Sequence, residues 1–161
     1  MKILELTNFS AGICGVWARV KEEAKILSKK NEVKVFSSNA VKGSNKIAPS
    51  NDKLDGIEIM RFTFKKFGGE SFMSWGFEND ALAFKPNLII AHSYRHLHTL
   101  RVLKIAKKIN AKVFLVTHAP FVENNSTRSI FGKVAVSLYD YFIGPRTINK
   151  FDKVIAITHW E

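Results

Sequence analysis

The chain has 161 residues, 46% of them hydrophobic and 24% charged, which is apolar enough to pack one domain and too apolar for a disordered chain. Its 25 Lys and Arg against 14 Asp and Glu give a net charge of +11, which suits phosphate-bearing partners: nucleic acid, anionic lipid or a phosphorylated substrate. The single cysteine, Cys14, excludes an intrachain disulfide and fits a reducing compartment. The N-terminal apolar run is too short for a secretory signal, and no run reaches the roughly 18 residues of a membrane span.

Residues 2–7 (KILELT) predict a strand, and residues 8–15 (NFSAGICG) a loop with two glycines. A helix is expected over 16–30, where Val16, Val20, Ala24 and Leu27 fall at helical spacing. Residues 32–37 predict a second strand, and 38–54, rich in Ser, Asn, Lys and Gly, a loop. A third strand is expected over 56–64 and a short helix over 71–84. Pro86 then introduces NLIIAHS (87–93), a continuous apolar run that reads as a strand covered on both faces. Residues 97–109 predict a helix through Leu97, Leu100, Leu103 and Ala106, and 112–117 another buried strand. Residues 128–150 read as mostly helical with a break at Gly144-Pro145, and 153–158 as a closing strand. This alternation predicts an α/β fold: a Rossmann-like, doubly wound, mainly parallel sheet with helices on both faces. Ligands of such sheets bind at the carboxyl ends of the strands.

Four constellations lie at or near those ends. The loop SAGICG (10–15) carries Gly12 and Gly15, whose small size lets backbone N–H groups approach an anion at a helix N-terminus. A G-x-G-x-x-G fingerprint is absent, and the second strand ends in Phe36-Ser37-Ser38-Asn39 with no acid for a ribose, which argues against a dinucleotide. His92 and Ser93 leave the strand NLIIAHS, followed by Tyr94, Arg95, His96 and His98. With no Cys or carboxylate among them, no metal is expected. Thr117 and His118 leave the next strand, where a histidine can donate to a hydroxyl or phosphate or carry a proton. The fourth constellation is basic and aromatic: Lys65, Lys66, Phe67 and Trp75 in one region, and Arg128 beside an apolar segment in another. It reads as core or domain interface, or as a surface that meets an acceptor or an anionic membrane. No nucleic-acid reading motif is present, so no specific nucleic acid is expected as a partner.

In order and spacing these pieces resemble the N-terminal domain of family-4-type, retaining glycosyltransferases of the GT-B architecture. The family's opening strand, glycine loop and amphipathic helix running into a Gly-His-Glu-Val-x-Val strand are matched by KILELTNF, Cys14-Gly15-Val16 and KILSKKNEVKVFS. Its Pro-Asp-apolar-apolar-His-Ala-His-Ser run is matched by residues 86–93, its Thr-apolar-His-Gly element by LVTHAP, and its terminal strand by FDKVIAIT. Cys14 stands for the first of the paired glycines, Ile90 for the first histidine, Asn87 for the acid and Ala119 for a glycine.

The resemblance implies that residues 1–161 are one acceptor-side domain, half of a GT-B enzyme, with the nucleotide-sugar-binding C-terminal domain outside this chain. It implies transfer from a nucleotide-diphosphate sugar to a sugar or lipid-linked acceptor, with no metal or cofactor, and an isolated domain that is inactive. His118 would be catalytic, near the transferred sugar. Gly12, Gly15, His92, Ser93 and Thr117 would bind substrate. The expected location is cytoplasmic, peripheral at the inner face of the membrane. The alternative is a stand-alone α/β ligand-binding or regulatory module.

Overall fold

An apolar run broken by one acid builds the central strand of the computed structural model, which describes residues 1–118, 134 and 136–157. This strand, β1 (Lys2–Phe9), is buried at every residue but Lys2. It leads into α1 (Gly15–Ser28), β2 (Glu32–Ser38), β3 (Asn51–Leu54) and β4 (Ile57–Phe62). A small hairpin follows, β5 (Phe64–Lys66) and β6 (Met73–Trp75), then α2 (Glu78–Phe84), β7 (Leu88–His92), α3 (Leu97–Ile109) and β8 (Lys112–Val116). A π-turn (Tyr139–Ile143), a short helix α4 (Gly144–Ile148) and β9 (Lys153–Ile155) complete the described elements.

The main sheet has the order β3-β4-β2-β1-β7-β8-β9. Neighbours are parallel except for β3, which is antiparallel to β4. The expected Rossmann-like, mainly parallel α/β fold is therefore present. From β1 the chain winds first to β2 and β4, then returns to build β7, β8 and β9 on the other side. The switch point lies between β1 and β7, where this fold leaves a crevice at the strands' carboxyl ends.

The pleat divides the core. On one face, Ile3, Val33, Val35, Ile59, Ile90 and Val116 pack against Val20 and Ala24 of α1. On the other, Leu4, Leu6, Phe36, Ile89, Ala91 and Leu115 pack against Val102, Ile105 and Ala106 of α3. Successive side chains of one strand thus serve opposite layers, as a period of two requires.

Several boundaries differ from expectation for identifiable reasons. The polar loop over 38–54 ends in β3, because Asp55-Gly56 makes a hairpin turn with φ of 51° and 83° at its two central residues. The strand expected over 56–64 stops at Phe62, and Phe64 starts the separate hairpin. The helix expected over 71–84 is confined to 78–84, since residues 73–75 pair with 64–66. In α3 the buried face is His98, Thr99, Val102, Ile105 and Ala106, rotated from the expected row of leucines. The closing strand covers 153–155. Of the helix expected over 128–150, residues 128–133 and 135 lie outside the described residues. The break expected at Gly144-Pro145 is not an interruption: helix runs on through both residues, and the lack of a Pro145 N–H is accommodated by a π-helical turn just before them, in which the Gly144 N–H bonds to the Tyr139 carbonyl.

Gly12 has a packing role. With φ at 84°, its missing side chain lets it lie on the backbone of Lys42, whose carbonyl oxygen would sit 2.4 Å from a Cβ. Gly12→Ala is expected to cost at least the roughly 1–2 kcal/mol of a left-handed alanine, before any displacement of Lys42. Urea unfolding should show this as a lower midpoint at unchanged slope; an unchanged midpoint would contradict the assigned role.

Candidate functional site

The acid inside β1 is the centre of a buried polar chain. Glu5 lies beside Ile90 in the β1–β7 register, on the pleat face toward α1. Glu5 and His92 are both 0% exposed, and Glu5 Oε2 is 2.6 Å from His92 Nε2. The other ring nitrogen of His92, Nδ1, is 3.0 Å from His118 Nε2. Three groups from β1, the end of β7 and the exit of β8 thus stand in a line that reaches the carboxyl edge of the sheet. Burial pushes the Glu5 carboxyl up to about 8, opposed by Arg19, and pushes His92 down to about 4, against the pull of Glu23. At neutral pH the contact is therefore a protonated acid on a neutral imidazole. Ionising both would strip two charges of water while leaving Glu5 Oε1 without a hydrogen-bond partner among the described residues.

The strand exits are held in place by backbone bonds. The Ser93 N–H donates to the Val116 carbonyl at 2.9 Å, and the Thr117 N–H to the Ile155 carbonyl at 3.2 Å. Ser93 and His118 have φ of 78° and 57°. Non-glycine residues hold such conformations where the surroundings over-determine them, and functional sites are enriched in them.

A second network pins the loop after β1. Asn8 Nδ2–H donates to the Glu70 carbonyl at 2.8 Å and to His96 Nδ1 at 2.6 Å, while its Oδ1 accepts from Trp75 Nε1–H at 3.2 Å. Burial, the largest cause, pushes His96 down to about 4, which keeps Nδ1 available as the acceptor. Arg61, also buried, donates to Ser10 Oγ at 2.7 Å, to the Ser10 and Pro49 carbonyls at 3.1 Å, and to Asp52 at 2.8 Å. With its ends anchored, the loop delivers the N-terminus of α1. Among the described residues no side chain caps that terminus and no neighbour crowds the Cβ position of Gly15, and Ile13 before it is 97% exposed. Uncapped N–H groups at a helix start favour an anion.

Of the residues singled out in the sequence, His92 and His118 come into contact, and Ser93 and Thr117 are tied to the same strand ends. Thr117 is buried and donates its hydroxyl hydrogen to the Ile155 carbonyl at 3.3 Å. Gly15 opens α1, whereas Gly12 is closed against Lys42. Lys65 and Lys66 are exposed on β5 of the small hairpin, and Phe67 is exposed just after it. Trp75 requires a correction: it is 2% exposed, packed between Phe62, Phe77 and His98, and so offers no surface to a membrane or acceptor. Arg128 lies outside the described residues. Glu5 was missed, although a lone acid between Leu4 and Leu6 in an apolar strand was a legible signal. Asn8 and Arg61 were missed because their partners are distant in sequence.

Among the described residues, Glu5, Glu23 and His92 bring three ligand-type atoms within 4.8 Å of one another. The 2.6 Å contact between Glu5 and His92 is a hydrogen-bond distance. Two ligands of one tetrahedral ion, each bonded at roughly 2.0–2.1 Å, would stand about 3.3 Å apart. A depression of about 590 Å³ at the opposite edge, lined by Met1, Lys2, Lys30, Asn31, Glu32, Lys85 and Asn87, lies at strand beginnings, away from the switch point.

No protein-family profile matches the chain, and no curated protein does. Among solved structures, it is similar to a sucrose-phosphate synthase from Thermosynechococcus elongatus, with a TM-score of 0.58 and 10% identity over 97% of this chain and 47% of that one. A protein of unknown function from Vibrio parahaemolyticus aligns with a TM-score of 0.47 and 16% identity, over 98% of this chain and 93% of that one. At these identities the first likeness establishes fold: a Rossmann-like α/β domain that spans about half the length of the sucrose-phosphate synthase it matches.

Proposed function

We propose that this chain is the acceptor-side domain of a GT-B glycosyltransferase of the retaining, family-4 type, moving a sugar from a nucleotide-diphosphate sugar to an acceptor. The observation that carries this reading is the His92–His118 contact at the carboxyl ends of β7 and β8, beside the switch point, on a fold shared with an enzyme of sugar transfer. In the proposed reaction, a second domain holds most of the donor. His118 hydrogen-bonds the reacting sugar or the leaving diphosphate, and the α1 N-terminus stabilises the negative charge that develops there. Retention follows from front-face attack by the acceptor, assisted by the departing phosphate oxygen.

In a sugar-transfer assay of this chain together with its donor-binding half, His118→Ala is expected to lower kcat about 100-fold or more, in a chain that still folds but melts lower for the loss of the His92 contact. Near-normal turnover would remove His118 from the mechanism.

We further propose a lipid-linked acceptor at a cytoplasmic membrane face, met by Lys65, Lys66 and the 66% exposed Phe67, with Phe72 beside them. Among the described residues no helix is long and apolar enough to cross a membrane. Paired Lys65→Glu and Lys66→Glu substitutions are expected to weaken binding to anionic vesicles by roughly 1 kcal/mol per lysine removed. Undiminished vesicle binding would return this hairpin to an ordinary solvated surface.

A further inference from the structure

The buried chain on the α1 face has more order than a hydrogen bond between two strands requires. It contains two gaps, Glu5 to His92 at 2.6 Å and His92 to His118 at 3.0 Å, and a hydrogen bond across each takes one proton. A neutral imidazole carries a single N–H. His92 can therefore donate into only one of its two gaps, and must accept in the other. If Glu5 carries a proton, its O–H donates to His92 Nε2, His92 Nδ1–H donates to His118 Nε2, and the proton of His118 is left on Nδ1. If Glu5 is ionised, every donor reverses: His92 Nε2–H points to Glu5, His118 Nε2–H points to His92, and His118 Nδ1 has a lone pair.

We propose that Glu5, His92 and His118 form a proton relay in which the buried Glu5 carboxyl sets the tautomer of His118 and replaces the proton that His118 gives up at the sheet edge. The role given to His118 toward a ligand rests on the glycosyltransferase reading, and the relay itself does not. The transfer balances as one proton. His118 Nδ1–H passes its proton to an oxygen of the ligand or to water. The His92 Nδ1 proton moves to His118 Nε2, the Glu5 proton moves to His92 Nε2, and Glu5 is left as a carboxylate. His118 remains neutral throughout, and the charge left by the transfer rests on a residue that is 0% exposed. The relay makes His118 a donor toward an oxygen-rich or anionic ligand, as a sugar hydroxyl or a diphosphate requires. Glu5 is a positioning residue and proton source that touches no ligand.

The surroundings favour the protonated acid. Glu5 Oε1 has no hydrogen-bond partner among the described residues, and a second carboxylate, Glu23 on α1, faces the same pocket. Arg19 on α1 acts in the opposite sense on Glu5, and His92 closes the pocket from β7. His92 in turn is faced by Glu23 and Arg19 from α1, by His98 from α3 and by His118. Burial raises Glu5 to about 8, so the reversal is centred there.

The test is long-range ¹H–¹⁵N NMR of the histidine rings in this chain, without ligand, from pH 6.5 to 9.5. The expected result is Nδ1–H in both His92 and His118 at pH 6.5, with a joint change to Nε2–H that tracks the Glu5 carboxyl ¹³C shift. Glu5→Gln, which cannot ionise, is expected to abolish the change over the whole range. Nε2–H tautomers at pH 6.5, or two rings that change at different pH, would overturn the relay, and wild-type protein alone can give either result. A change that persists in Glu5→Gln would overturn it as well. A joint change in a chain whose His118→Ala variant transfers sugar normally would uphold the relay and sink the glycosyltransferase role. The opposite pairing of results would do the reverse.

Discussion

Trp75→Ala is expected to destabilise the chain by about 3–5 kcal/mol, the usual cost of truncating a buried large aromatic. Trp75 is 2% exposed, with its ring centroid 5.9 Å from Phe62, 4.7 Å from Phe77 and 5.5 Å from His98. Its indole N–H also occupies the Asn8 side-chain oxygen at 3.2 Å. Removing it leaves a cavity and an unpaired acceptor at the loop that positions α1, and an orphaned buried group adds about 1–3 kcal/mol. Urea unfolding measures the loss. A loss below about 1 kcal/mol, with weakened vesicle binding, would instead make Trp75 the surface anchor that its basic neighbours suggested.

The second large effect is a stability optimum near pH 6.5, with a steeper fall on the acid side. Burial lowers His92 and His96 to about 4 and holds His98 well below its ordinary 6.5. As pH falls below 6.5, the unfolded chain takes up three protons that the native state refuses, so stability is lost. Glu5 acts in the other direction: its native value near 8 exceeds the ordinary 4.5, so its contribution is full below 4.5 and disappears as pH rises to 8. Between 4.5 and 6.5 the net difference is about two protons, or roughly 3 kcal/mol per pH unit in favour of higher pH. Between 6.5 and 8, Glu5 alone gives roughly 1.4 kcal/mol per unit in favour of lower pH. Melting curves from pH 4.5 to 9 measure both limbs. Glu5→Gln should flatten the alkaline limb and preserve the acid one. A melting temperature that rises from pH 7 to 9 would contradict the neutral Glu5–His92 contact.

The alternation of strands and helices was legible because buried parallel strands such as LIIAH and KVFLV are continuous apolar runs, and the intervening helices carry apolar residues at helical spacing. The expected face of α1 was right at Val20 and Ala24. The face of α3 was misjudged because its core side is made by His98 and Thr99 as well as aliphatics. Both bond the His92 carbonyl, a contact that spacing alone cannot reveal. The β3–β4 hairpin lay behind a polar stretch, although Asp55-Gly56 marked its turn. Trp75 read as surface because lysines and glycines surround it in sequence, while its partners Asn8 and His98 come from other elements. The histidines at 92 and 118 were legible from strand ends alone. Their link to Glu5 was not, because it depends on which strands are neighbours.

The proposed ligand site is the crevice between the carboxyl ends of β1 and β7. The most direct test is to titrate the ¹⁵N-labelled chain with inorganic pyrophosphate and with a nucleotide-diphosphate sugar, and to map the amide shifts. Shifts are expected to concentrate at residues 8–15, 93–97 and 117–118, and to shrink in His118→Ala. Shifts confined to Met1, Lys2, Lys30 and Lys85 at the opposite edge would show an anion drawn to basic surface, and would contradict the assigned site.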